Sequence, residues 1–235
     1  MTADLIQGSP DWFAARLGKV TASRVSDVIA KTKTGWGASR GNYMAELVAE
    51  RLTGVPAQTY TNAAMQWGQD TEPQARAAYE FVRDVTVLPI GFAPHPIIAM
   101  SGASPDGAIG HPDMPIPDGL VEIKCPNTAT HIDTLLGTEI PDKYVVQMQW
   151  QMICTGAKWC DWVSFDPRMP ARLSLFVKRI ARDDKRIEEL ESAVREFLRE
   201  LDAKVAALNG LSREGSPPIE MIAPRVNINA TAPVF

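Results

Sequence analysis

The hydrophobic and polar positions along the chain predict helices on either side of a group of strands. Apolar residues recur every three or four positions before residue 84 and after residue 182, which is the spacing of helices that bury one face. The middle of the chain has short apolar runs bounded by proline and glycine, which is typical of strands. We predict helices at 10–17, 21–31, 41–52, 62–84, 128–137 and 142–155 and from 182, and strands at 85–92, 97–101, 119–125, 159–165 and 172–180.

This order of elements predicts an α/β fold in which helices flank a mixed central sheet, with the chemistry at the strand ends. Pro73 interrupts the predicted helix at 62–84 and indicates either two helices or a kink beside Glu72. Residues 1–209 are predicted to form one domain. Proline and glycine are frequent in residues 210–235, which we expect to be an extended or disordered tail.

Two carboxylates and a lysine come together around the predicted strand at 119–125. Glu122 and Lys124 flank Ile123, so they share one face of the strand. Asp106 lies in a Pro-Asp-Gly turn, and a hairpin-like return of the chain would bring it beside Glu122. Neighbouring carboxylates share a proton or a cation, and an all-oxygen site suits Mg²⁺ better than Zn²⁺. The set indicates phosphodiester hydrolysis; the alternative is a surface hairpin with a Glu–Lys pair.

Composition and charge narrow the class of protein. Of 235 residues, 45% are hydrophobic and 22% are charged, and no apolar run is long enough to span a membrane, so we expect a cytoplasmic globular protein. A zinc or iron–sulfur site needs four ligands, and Cys125, Cys154 and Cys160 are predicted to be reduced core thiols. The net charge of −4 argues against a protein that coats DNA.

The first 40 residues are locally basic, with six basic and three acidic side chains. Arg16 near the end of the first helix, and Thr21 or Ser23 as the cap of the second, could hold a phosphate group. The alternative for Arg16 is a surface arginine that pairs with the helix dipole. The polar segment 31–40 is either a nucleic-acid contact or a mobile loop.

Short sequence blocks in a fixed order resemble the phage lambda exonuclease and YqaJ-like viral recombinase family, within the restriction-endonuclease-like PD-(D/E)XK nucleases. Together the blocks span roughly residues 10 to 205 and are specific as a set. They are Arg16-Leu17-Gly18 with Thr21-Ala22-Ser23, Trp67-Gly68 with Glu72, Ser104-Pro105-Asp106-Gly107, Glu122-Ile123-Lys124-Cys125-Pro126, Gln147-Met148-Gln149 and Asp166-Pro167-Arg168-Met169.

This resemblance implies a restriction-endonuclease-like fold and a Mg²⁺-dependent 5′→3′ exonuclease on double-stranded DNA ends. Such an enzyme releases mononucleotides and leaves single-stranded 3′ overhangs for phage-type recombination. The resemblance also implies two Mg²⁺ ions, for which Mn²⁺ substitutes, a ring-shaped homotrimer, and a single-strand annealing protein as partner.

The resemblance also implies a role for each matched residue. Asp106, Glu122 and the Ile123 carbonyl would hold metal, and Glu72 would act on a second ion. Lys124 would orient the attacking water, with Gln147 at the edge of the site. The implied DNA contacts are Arg16 and Ser23 at the 5′-phosphate, Lys33 on the downstream duplex and Met65 as a wedge between base pairs.

The sequence is compatible with two other functions. One is an endonuclease, such as a restriction or repair enzyme on the same core. The other is a DNA-end-binding module with an inactive site, against which the intact Asp106, Glu122 and Lys124 set argues. An iron–sulfur exonuclease is disfavoured because the chain has only three cysteines.

Overall fold

The computed structural model describes residues 6–57, 62–111, 113–137 and 139–211. The helices in these ranges are α1 (Pro10–Arg16), α2 (Val25–Val28), α3 (Ala38–Thr53), α4 (Ala63–Arg83), α5 (Thr128–Leu136), α6 (Asp142–Thr155) and α7 (Asp184–Leu211). The strands are β1 (Val20–Thr21), β2 (Lys31–Thr32), β3 (Gly35–Trp36), β4 (Ala93–Pro94), β5 (Ser101–Ala103), β6 (Gly107–Ile109), β7 (Gly119–Lys124), β8 (Trp159–Phe165) and β9 (Leu175–Ala181).

The main sheet is mixed, with the strand order β6-β7-β8-β9. β7 and β8 run parallel, whereas β6 pairs with β7 and β8 pairs with β9 in the antiparallel sense. Parallel neighbours need a long crossover, and here α5 and α6 provide it. This arrangement puts β7, the strand of the predicted catalytic motif, inside the sheet.

Helices cover both faces of this sheet. Met148 and Met152 of α6 pack in one core with Leu120 of β7. Tyr79 of α4 packs in a second core with Val121. Because side chains alternate along a strand, Glu122 shares the face of Leu120 and is directed toward α6. The sheet therefore presents the motif's carboxylate to a helix rather than to open solvent.

A second, smaller sheet joins the N-terminal region to the loop that carries Asp106. Its order is β1-β5-β4, and Val20 of β1 pairs in parallel with Ser101 of β5. A third core beneath it is built from α3, α6 and α7 and includes Val20, Leu47 and Phe197. This sheet brings the segment after α1 close to residues 104–106, which include Asp106 and form the predicted catalytic loop between β5 and β6.

Two predicted strands are largely wrong. Residues 85–92 contribute one isolated bridge, between Leu88 and Ala108, because Pro89 has no amide to donate to a ladder. The predicted strand at 97–101 is a turn, and pairing begins only at Ser101. Nδ1 of His95 accepts hydrogen bonds from the amides of Ile97 and Ile98, at 3.3 and 3.1 Å, which holds that turn.

The predicted helix at 21–31 is also much shorter in the structure. Val20 and Thr21 pair with β5, a 3₁₀ turn follows at Ala22–Arg24, and α2 has only four residues. Tertiary pairing of a β-branched dipeptide has overridden the local helical pattern. The segment 31–40 contains the β2–β3 hairpin and the start of α3.

The long, strongly patterned elements are confirmed. α6 and β8 have the predicted bounds, and β7 is one residue shorter than predicted. α4 is one helix from Ala63 to Arg83 with Pro73 inside it, so the alternative of two helices is wrong. α7 continues to Leu211, past the predicted boundary at 209, and residues 212–235 of the predicted tail lie outside the described residues. In the described ranges, no helix has the length and apolar character needed to cross a membrane.

Candidate active site

The antiparallel pairing of β6 with β7 brings the two predicted carboxylates together. Gly107 lies opposite Val121, so Asp106, one residue before β6, continues the register toward Glu122. Oδ2 of Asp106 accepts a hydrogen bond of 2.6 Å from the backbone amide of Ile123. The hairpin-like return predicted from sequence is confirmed, although its strand is β6 after Asp106 rather than the segment before it.

The Glu122 carboxylate is fully buried, and both of its oxygens accept hydrogen bonds. Its Oε1 pairs with Nζ of Lys124 and accepts a hydrogen bond of 2.7 Å from Nε2 of Gln147. Its Oε2 accepts a hydrogen bond of 2.5 Å from Nε2 of Gln151. Gln147 and Gln151 are one turn apart on α6, which places both amides over the same carboxylate.

Burial and the neighbouring carboxylate change the pKa of Asp106. Burial raises the pKa of Asp106 well above its usual range, and the nearby charge of Glu122 raises it further. Burial alone would lower the pKa of Lys124, but Glu122 and Asp106 outweigh that effect and raise it. Lys124 therefore stays cationic, and more positive charge at the site would favour ionisation of Asp106.

Glu72 reaches the same region from α4. It is half-buried, and its charge contributes to the raised pKa of Asp106. Arg76, one turn later, lies 3.4 Å from Oε1 of Glu72 and donates a hydrogen bond to the backbone carbonyl of Asp106. Arg76 thus connects α4 to the loop that carries Asp106.

The thiol of Cys125, next to Lys124, takes no part in this chemistry as a thiolate. Burial, followed by the charges of Glu72 and Asp106, raises its pKa to about 12. All three cysteines of the chain are free thiols.

A half-buried arginine lies beside the catalytic loop. Nη1 of Arg16 donates a hydrogen bond of 3.0 Å to Oγ of Ser104, and its guanidinium stacks on Trp12 at 4.1 Å. Nε1 of Trp12 donates to the same hydroxyl at 2.9 Å. Within the described residues, Arg16 forms no ion pair with a carboxylate. Burial lowers its pKa to about 10, which the charges of Tyr43 and Glu50 offset only in part, and the guanidinium stays charged.

Arg168 contacts both the segment that follows Lys124 and helix α4. Arg168 forms an ion pair of 2.7 Å with the buried Asp166 and donates to the carbonyl of Pro126 at 3.3 Å. Its guanidinium also stacks on Trp67 of α4 at 4.3 Å. These contacts connect the end of β8, the segment after β7 and the start of α4.

Comparison with known proteins assigns the chain to a protein family. The model of the YqaJ-like viral recombinase domain matches residues 11–158. The chain belongs to the YqaJ-like viral recombinase domain family. Among the curated proteins, none matches the chain.

Solved structures of similar proteins agree with the YqaJ-like assignment. LHK-Exo, an alkaline exonuclease from Laribacter hongkongensis, is 50% identical to this chain, and the match covers 87% of this chain and 98% of LHK-Exo. The TM-score is 0.79 for its complex with dAMP and 0.78 for a second structure. A phage-related exonuclease from Haemophilus somnus 129PT is 16% identical, with a TM-score of 0.63 over 81% of this chain and 96% of the other, a likeness in fold alone. The predicted restriction-endonuclease-like fold is confirmed.

The YqaJ-like chain carries a donor set that fits a divalent cation. Asp106, Glu122 and the Ile123 backbone offer only oxygen ligands, which Mg²⁺ and Mn²⁺ prefer. Nuclease families of this kind are generally dependent on divalent metal. Within the described residues, no three His, Cys, Asp or Glu side chains already cluster around a metal position, so the Ile123 carbonyl would have to share in binding with the carboxylate pair.

The remaining predicted DNA contacts lie away from the carboxylates. Ser23 is exposed in the 3₁₀ turn, and no hydrogen bond among the described residues joins it to Arg16. Lys33 is exposed in the turn of the β2–β3 hairpin, and Met65 is 44% exposed near the start of α4. The structure brings Arg16 to the loop of Asp106 but leaves Ser23, Lys33 and Met65 as separate surface positions.

Sequence reasoning missed three residues of this site. Gln151 is not among the residues predicted from sequence, and its position four residues after Gln147 on the same helix face was the available signal. Ser104 lies two residues before Asp106 in the matched block, yet its bond to Arg16 depends on the β1–β5 pairing. Arg76 had no sequence signal beyond its position one turn after Glu72.

Proposed function

We propose that this chain is a Mg²⁺-dependent exonuclease that degrades one strand of double-stranded DNA from its 5′ end. Membership of the YqaJ-like family and 50% identity to an alkaline exonuclease support a deoxyribonuclease. The observation that carries the proposal is the joined set of Asp106, Glu122 and Lys124, with Glu72 on the adjoining helix.

Asp106, Glu122 and the Ile123 carbonyl would hold the metal, and Glu72 would act on a second ion. When bound, the two Mg²⁺ ions, or Mn²⁺ in their place, would activate a water and stabilise the charge on the scissile phosphate. Their positive charge also favours the ionised form of Asp106, whose pKa is raised in the metal-free protein.

Lys124 would orient the attacking water and stabilise negative charge on the phosphate. It is suited to this because its raised pKa keeps it protonated and its pairing with Glu122 fixes its direction. Gln147 is half-buried at the edge of the site and holds the same oxygen of Glu122, so it would limit the motion of that carboxylate.

Arg16 would bind the terminal 5′-phosphate, with Ser104 and Ser23 as hydroxyl partners. An arginine that is half-buried, charged and unpaired is stabilised by an anion, and a phosphate can take two of its N–H groups. The bond from Arg16 to Ser104, two residues before Asp106, supports this position for the phosphate. Lys33 and Met65, both exposed, would contact the duplex and separate its strands.

The proposal includes assembly and partners. We infer a homotrimeric ring around DNA, which would keep an acidic protein of net charge −4 on its substrate without a strongly basic surface. The 3′ overhang would be passed to a single-strand annealing protein, and we expect the reaction in the cytoplasm.

The experiment compares three substrates of equal sequence: a linear duplex with 5′-phosphate ends, the same duplex with 5′-hydroxyl ends, and a covalently closed circle. We expect mononucleotides from the phosphorylated duplex in Mg²⁺, slower release from the hydroxyl form, and none from the circle or in EDTA. Cleavage of the closed circle would instead identify an endonuclease. Binding of ends without hydrolysis in Mg²⁺ or Mn²⁺ would identify an end-binding module.

A further inference from the structure

The two oxygens of Glu122 have different surroundings. Oε1 is contacted by Lys124 and Gln147, which are both partly exposed and lie on the side of the site that is open to solvent. Oε2 is contacted by Gln151, a side chain with no exposed surface. The carboxylate therefore has one outward and one inward oxygen.

Gln151 is itself held in place. Its Oε1 lies 4.0 Å from Sγ of the buried Cys160 on β8, which is within reach of a weak S–H donor. A carboxylate oxygen without a proton only accepts hydrogen bonds, and the Gln151 amide turns its NH₂ group toward Oε2 of Glu122. A buried side chain with both ends engaged has little freedom to reorient.

We propose that Gln151 is a positioning residue of the active site, which fixes Oε2 of Glu122 so that Oε1 is the oxygen presented to a divalent cation. The proposal rests on the metal-dependent function proposed above. The terminal torsion of a glutamate is broad, so a carboxylate without such a partner samples many orientations. An inner hydrogen bond removes that freedom before any metal arrives.

The size of the effect follows from the behaviour of groups that hold metal ligands. Losing such a partner typically weakens metal affinity or activity by about 10- to 100-fold. The change Gln151→Met keeps the length of the side chain and removes both hydrogen bonds. We expect it to weaken Mn²⁺ binding by at least about tenfold, with a lower kcat and an unchanged KM for DNA.

The experiment titrates the DNA-free protein with Mn²⁺ and measures the free ion by electron paramagnetic resonance, so that binding is read without turnover. The matched control is Gln149→Met on the same helix. Gln149 is 2% exposed and is also bonded at both ends, to the carbonyl of Ala181 and the amide of Asp183, both at 2.9 Å, and neither of these partners belongs to the site. We expect this control to lower the melting temperature while leaving Mn²⁺ affinity within about twofold of wild type.

Two further variants make the outcome decisive. Gln151→Asn keeps an amide but is too short to reach Glu122, so it should weaken Mn²⁺ binding like Gln151→Met and serves if the methionine variant fails to fold. The inference is overturned if the folded Gln151 variants bind Mn²⁺ as tightly as Gln149→Met, whatever their stability. Glu122→Gln is the reference: Mn²⁺ binding at wild-type strength by that variant would remove the ligand assignment of the proposed function, and this inference with it.

Discussion

The backbone amide of Ile123 donates a hydrogen bond of 2.6 Å to Oδ2 of Asp106. The amide and the carbonyl of one strand residue point to the same edge of the strand, so the Ile123 carbonyl also faces the Asp106 side of β7. The arrangement supports the expectation that this carbonyl joins Asp106 and Glu122 around a cation. Asp106 therefore also stabilises the backbone of β7, and an asparagine at this position could accept the same hydrogen bond from Ile123.

Asp106→Asn should therefore remove turnover and leave the fold intact. The asparagine oxygen can still accept from Ile123, but the negative charge for the metal is lost. Single-turnover cleavage of a 5′-phosphorylated duplex in Mg²⁺ is the measurement. Asp113→Asn, at an 88% exposed carboxylate on the loop before β7, is the control and should cleave like wild type. Wild-type turnover by Asp106→Asn would refute the site.

The same substitution should stabilise the metal-free protein, and more so as the pH rises. An acid whose pKa is raised on folding holds its proton more tightly when folded, so ionising it costs stability as the pH rises toward its folded pKa. Thermal unfolding in EDTA from about pH 5 to about pH 8 should show a growing advantage for Asp106→Asn. Saturating Mg²⁺ should raise the melting temperature of wild type only. A pH-independent difference would contradict the raised pKa of Asp106 in the folded protein.

Lys124→Met should lower the rate constant for cleavage by about 10²- to 10³-fold, the usual effect of losing one electrostatic stabiliser. DNA binding measured without metal should change far less. Lys143→Met is the matched control because both ammonium groups lie over the ring of Tyr144, at 5.6 and 4.7 Å, but only Lys124 pairs with Glu122. If Lys124→Met keeps its kcat and loses DNA affinity, Lys124 is only a phosphate contact.

Arg16→Gln should abolish the preference for 5′-phosphorylated over 5′-hydroxyl ends. The ratio of initial rates on the two ends measures it. Arg24→Gln is the control, since Arg24 also stacks on an aromatic ring at 4.1 Å but is already paired with Asp27 and Glu46. A variant at Arg16 that discriminates as well as wild type would place the phosphate site elsewhere.

Sedimentation equilibrium should give about three times the chain mass of 25.7 kDa. The physical reason is the need to retain DNA with few basic residues, which an enclosing ring satisfies. Processivity with excess competitor DNA as a trap gives the second readout. A strict monomer that still removes many nucleotides per binding event would overturn the ring.

The sequence correctly predicted the elements that have a long hydrophobic pattern and that depend mainly on residues nearby in the chain. α6 and β8 were predicted to the residue, and the Glu122–Lys124 face followed from alternation alone. β8 also contains the fully buried Asp161. Tyr79 and Arg179 donate hydrogen bonds to its carboxylate at 2.9 and 2.8 Å. No local sequence pattern reveals these two partners.

The elements that sequence missed depend on contacts between distant segments. β1 exists because Val20 meets Ser101 across 81 positions, and the bond between Arg16 and Ser104 depends on the same pairing. Gln151 differs from Gln149 only in which neighbour its amide reaches, and only the packing of α6 on the sheet decides that.

The parts of α4 before and after Pro73 differ in how deeply their residues are buried. The buried residues of this helix begin at Thr71 and continue through Ala75 and Tyr79, whereas residues 62–66 are exposed. Proline has no amide, so the carbonyl of Gln69 lacks its usual helical donor at the junction. Amide hydrogens in the first turns should exchange with solvent deuterium well before those after Pro73, because opening them uncovers no core. If Met65 contacts DNA as proposed, this end of α4 can unwind and re-form against an arriving DNA end while Glu72 and Arg76 hold their places.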